Sequence, residues 1–148
     1  MADAKALAVG ATVLAGALVA LQAPINSKLG TRTGTFPAVT ISFAVGLLVL
    51  IALLAVLGQL GGVREASGAP WWYFLGGVLG VIYVTTVLVS VRELGAGGVT
   101  AATIAGQLAL SLVIDQLGLL GVARQPITAA KVAGVLLLGA GVALIVRD

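Results

Sequence analysis

A chain of 148 residues that is 60% hydrophobic and 9% charged, with a mean hydropathy of +1.20, is no ordinary soluble domain, where charged residues make up roughly 25%. It contains no Cys and no His, which removes disulfides, thiolate chemistry, the commonest metal ligand and the commonest general base. The net charge of +3 is scattered and forms no basic run, so no enzyme activity, cofactor, metal site or nucleic-acid partner is expected.

Apolar runs of bilayer length without strict alternation predict an all-α integral membrane protein, because unpaired backbone groups are not tolerated in lipid. Five transmembrane helices are expected in a single membrane domain covering 1–148, at about 5–26, 36–60, 71–91, 99–120 and 128–146. The first follows Lys5 but continues for most of a crossing to polar Gln22 and Asn26, so it reads as a retained helix and not a signal peptide. Gln22 and Asn26 lie one turn apart and flank Pro24, which predicts a break, a kink or the end of the helix there, with the two carboxamides lining it.

Gly30 to Gly34 supply the first turn, and Pro37 suits the opening turn of the second span. The longest connection, Gly61 to Pro70, leads into Trp71, Trp72 and Tyr73, an interfacial aromatic belt. In the third span Tyr83 shares a stripe with Gly76 and Gly80; the glycines favour close helix packing, while the phenol can either point into a pathway or pack.

The fourth span carries most of the polar residues. Thr100, Thr103, Gln107, Ser111 and Asp115 recur every three or four positions and stay within an arc of about 120°. In-span polar groups cost roughly 2.5–3.5 kcal/mol when charged, so this stripe marks either the wall of a substrate pathway or interhelical hydrogen bonding. Asp115 is read as a cation or gate residue or, with Gly118 ending the helix, as a hydrated acid at its end. The fifth span has Gly134, Leu137 and Gly141 on one face and no polar residue between Lys131 and Arg147, which suits dimer packing.

Threaded through five crossings, Lys5, Arg64, Arg124 and Lys131 fall on one side of the bilayer, and Lys28, Arg32, Arg92 and Arg147 on the other. Lys and Arg normally set orientation by their excess in cytoplasmic loops, so this tie predicts dual topology. An odd number of crossings puts the termini on opposite sides. Two copies inserted oppositely then form an antiparallel homodimer with an inverted repeat, each chain being half of a ten-helix transporter.

Several stretches together resemble the drug/metabolite transporter superfamily: Leu21-Gln22-Ala23-Pro24-Ile25-Asn26, Ser42-Phe43-Ala44-Val45-Gly46, Pro70-Trp71-Trp72 with Gly76-Gly77, and Gly106-Gln107-Leu108 leading to Ile114-Asp115. The likeness runs in order over essentially the whole chain and is closest to the short five-helix branch, long labelled a domain of unknown function and described as inner-membrane exporters. It implies a multi-pass protein of the bacterial plasma membrane and antiparallel pairing as in the related small multidrug resistance exporters. Those exporters rely on an acid in their first helix, and between Lys5 and Lys28 this chain has none.

The sequence therefore points to a small-solute secondary transporter, an exporter or exchanger working by alternating access in an antiparallel dimer. Its expected pathway is lined by Gln107, Ser111, Asp115, Gln22, Asn26 and Tyr83, and its partners are the lipid bilayer, a second copy and a small-molecule substrate. A dual-topology ion channel and a non-transporting accessory half of a heterodimer remain alternatives.

Overall fold

The computed structural model describes residues 2–147, and among them every regular element is a helix and none is a strand. The first apolar run continues through its own proline: α1 (Ala2–Thr33) is one unbroken helix with Pro24 inside it. Pro24 has no N–H for the Ala20 carbonyl, but one missing donor in a long apolar run does not stop a helix that has no other way to satisfy its backbone in lipid. Lys5 and Lys28 lie about 35 Å apart along α1, slightly more than the hydrocarbon thickness.

Gly34 alone separates α1 from α2 (Thr35–Val56), at φ 90° and ψ 161°. Its amide closes α1 on the Gly30 carbonyl (3.0 Å), and its carbonyl accepts from Ala38 (3.1 Å) to open α2. Pro37 falls in the first turn of α2, where amides have no intrahelical partner in any case. The far end of α2 closes in a Schellman motif: Gly58 at φ 67° donates to Ala55, and Gln59 donates to Leu54 at 2.8 Å.

A one-turn helix, α3 (Gly62–Glu65), and two 3₁₀ turns, Ala66–Gly68 and Trp71–Phe74, lead to the next long element. Trp72 and Tyr73 meet edge to face there, with ring centroids 4.2 Å apart. The element that follows, α4 (Leu75–Leu117), has 43 residues and would be about 65 Å long if straight, enough for two crossings. Gly95, at φ 67° and ψ 170°, breaks it into helical stretches 75–94 and 96–117. The last helix is α5 (Ala129–Val146), capped by the Thr128 hydroxyl, which accepts from the Lys131 amide at 3.3 Å. By length and hydropathy, α1, α2, α4 with its leading turn, and α5 are each suited to span a membrane.

The chain divides into two compact units, the first ending at Arg92 and the second beginning at Glu93. In the first, α1 and α2 pack against each other near Gly34 and against the 75–92 stretch. The core there is Ala38, Val39, Val84 and Leu88, with Leu29 and Tyr83 packed onto it. Small residues permit this approach: a Cβ on Gly30 would stand 3.1 Å from the Leu88 side chain, and one on Gly80 would stand 3.5 Å from the Phe43 ring. Away from this end α1 is exposed from Asp3 to Val19, as lipid allows. In the second unit a Cβ on Gly98 would lie 3.5 Å from Val146, so the start of 96–117 meets the end of α5.

Candidate functional site

Each unit separates its cations by end. In the first, Arg92 Nε donates to Ser27 Oγ at 3.3 Å, so Arg92 lies beside the end of α1 that carries Lys28 and Arg32. In the second, Arg124 Nε donates to the Gln116 carbonyl (2.9 Å) and Lys131 Nζ to the Pro126 carbonyl (3.2 Å), while Arg147 follows Val146 at the opposite end of α5.

Between α1 and α2 the first unit has two adjoining grooves of about 600 and 510 Å³. Gln22 and Ser42 line both. The larger continues along α2 past Phe43, Leu47 and Leu50; the smaller continues along α1 past Leu18 and Ile25 to Asn26. Helical spacing explains the geometry: Gln22 and Asn26 are one turn apart on α1, and the Gly34 turn brings Ser42 of α2 back beside them.

The polar atoms here are unused. Asn26 is only 5% exposed, Ser42 is half-buried and Gln22 is exposed, and none of the three side chains has a hydrogen-bond partner among the described residues. Thr40, also in the larger groove, donates to the Phe36 carbonyl at 3.0 Å. Two carboxamides and a hydroxyl offer donors and acceptors at one level of an otherwise apolar surface, and no ionisable side chain lines either groove. In lipid, such groups gain from a bound molecule that pairs with them.

Ser42 joins the groove in addition to the residues expected from the sequence, although its signal there is of the same kind as that of Gln22. After Ser42, α2 has no polar side chain as far as Val56, so its hydroxyl is the last polar group along a helix suited to span.

Tyr83 is half-buried and packs on the first unit's core cluster. Gln107, Ser111 and Asp115 belong to the second unit. Thr103 and Ser111 donate to the Thr100 and Leu108 carbonyls of their own helix at 3.0 Å each, leaving Gln107 as the exposed carboxamide of the stripe. Asp115 is half-buried in the last turn before Gly118, which adopts the left-handed conformation (φ 63°, ψ 39°) that ends the helix.

The chain then folds back onto that turn. Gln125 donates to the Asp115 carbonyl at 2.8 Å, and the Gln116 side chain accepts from the Ile127 amide at 2.6 Å. On α5, Leu137 is 74% exposed, and a Cβ on Gly134 or Gly141 would meet nothing within 4 Å, so this small-residue face is open to a neighbour. Among the described residues no group of three or more acids could hold a metal ion.

Compared with known proteins, residues 7–144 match the family model described as "Putative inner membrane exporter, YdcZ". No curated protein and no solved structure matches the chain.

Proposed function

The chain belongs to the YdcZ family of inner-membrane exporters, within the drug/metabolite transporter group, and is a multi-pass inner-membrane protein; from that premise we propose that it is a secondary transporter of small solutes working by alternating access as an antiparallel homodimer. The observation that carries this reading is the set of unpaired polar groups, Gln22, Asn26 and Ser42, facing a groove between two helices suited to span the bilayer. Polar atoms at that depth are costly and are best accounted for by a solute pathway.

Five crossings and the four-to-four charge division support oppositely inserted copies. The open face of α5 around Gly134, Leu137 and Gly141 is the proposed contact between them. Gln107, Ser111, Asp115 and Tyr83 complete the pathway in this reading, with Asp115 handling a cation or acting as a gate. A two-fold axis in the membrane plane makes inward- and outward-facing states equal in energy, which suits an exchanger.

The test is solute retention in proteoliposomes loaded with a mixture of small fluorescent solutes. A saturable loss of at least one solute, abolished by Gln22→Leu and by Gln107→Leu in folded protein, is expected. Unitary ion currents in planar bilayers, or solute loss that never saturates, would replace the transporter with a channel.

A further inference from the structure

Resting on the α1–α2 groove as the solute site, we infer that its substrate is an uncharged amphiphile that enters sideways from the lipid, polar group first toward Gln22 and Ser42. The groove is polarised along its length. Ser42 lies about 10 Å into α2 from Thr35, and Leu50 about 12 Å further along the same helix. Gln22, Ser42 and Asn26 cluster near one end, whereas Phe43, Leu47 and Leu50 form an apolar wall running away from them. A molecule matching this surface has a hydrogen-bonding head and an alkyl or aryl tail of about octyl length.

Charge selects within that class. No carboxylate lines the groove to pair with a cationic head, and no Lys or Arg lines it to pair with an anionic one. A fixed charge held there would remain unpaired in an apolar setting, whereas an amide or hydroxyl head can both donate to and accept from Gln22, Asn26 and Ser42. Thr40 adds little as a donor, since its hydroxyl is engaged with Phe36.

The entry route follows from where the groove opens. Its walls are exposed along their length within two helices suited to span: Leu21 is 59% exposed, Leu47 58% and Leu50 60%. A solute dissolved in the bilayer reaches such a groove directly, without crossing the charged end marked by Lys28, Arg32 and Arg92.

The experiment uses the full chain in nanodiscs and the dansyl amide of octylamine, uncharged at neutral pH, as a fluorescent probe. Octanamide, octanoate and octyltrimethylammonium compete at matched membrane concentrations. Octanamide is expected to displace the probe at least fivefold more effectively than either ion, and Gln22→Leu and Ser42→Ala are each expected to weaken probe binding at least fivefold. Gly10→Ala, which lies away from the groove, should leave binding unchanged, and far-UV circular dichroism reports that each variant is folded.

If an ion competes as well as octanamide while binding still depends on Gln22 and Ser42, the substrate class is wrong and the groove stands as the site. If binding matches empty nanodiscs, or is indifferent to both substitutions, the inference about this groove falls. Solute loss in the proteoliposome assay, with its dependence on Gln107, then decides separately whether the chain transports at all.

Discussion

Replacing Gly34 by alanine tests the single residue that turns the chain from α1 into α2. At φ 90° and ψ 161° Gly34 occupies a region that is essentially restricted to glycine, and holding an L-residue there costs about 1–3 kcal/mol. Space adds little to this, because a Cβ would lie 3.6 Å from Pro37 Cδ and 3.9 Å from Pro37 Cγ, ordinary contact distances. Gly34→Ala should therefore destabilise the fold by about 1–3 kcal/mol, roughly a fivefold to 150-fold change in the folding constant.

The assay is reversible unfolding in mixed micelles by SDS titration, followed by circular dichroism. Asparagine separates the mechanism from generic glycine loss, since it tolerates the left-handed helical region but not ψ near 160°. Gly118, at φ 63° and ψ 39°, lies in that tolerated region, so Gly118→Asn should cost less than Gly34→Asn. Equal costs for the two asparagine variants, or a Gly34→Ala protein as stable as its parent, would refute the assignment of strain to this turn. Relief of the strain by rotation about residue 34 would also change the spacing of Gln22 and Ser42, so amphiphile binding should weaken together with stability.

Other positions give different outcomes for physical reasons visible in the structure. Leu88 is fully buried, but the reference state is lipid and not water, so Leu88→Ala should lose mainly the packing part of the usual cost, about 1–3 kcal/mol in the same titration. A Cβ on Gly30 would stand 3.0 Å from Arg92 Nη2 and 3.1 Å from Leu88 Cδ2. Gly30→Ala should accordingly displace Arg92 from Ser27 and destabilise by about 1 kcal/mol, whereas Gly10→Ala, with open space around it, should stabilise by up to about 1 kcal/mol. Because the chain has no cysteine, Ser67→Cys provides a single label in the connection between α2 and α4. Labelling of intact cells and inverted vesicles by an impermeant maleimide should find it on both sides, and labelling from one side only would exclude dual insertion.

The family and the all-helical membrane class were legible in the sequence because both rest on local information. Apolar runs of bilayer length must satisfy their own backbone, and the match to the family model runs over residues 7–144. Glycine marked the turn at Gly34 and the helix end at Gly118, both at positive φ, whereas Gly30, expected in the same turn as Gly34, lies inside α1. Pro24 was less informative, since the same residue that ends helices in water is carried inside α1.

The sequence by itself determined which segments lie in lipid and which polar side chains are costly there. Only the tertiary structure decided how those side chains are used: that Ser42 meets Gln22 across a groove, that Thr103 and Ser111 satisfy their own helix, that Arg92 rests on Ser27, and that Tyr83 joins the core. In a soluble protein hydropathy separates inside from outside, so a helix announces its buried face. Lipid is as apolar as a protein interior, and that signal disappears. The contacts of α1 and α2 were decided instead by shape, by where Gly30 and Ala38 let another helix approach, and shape becomes readable only when the helices are placed together.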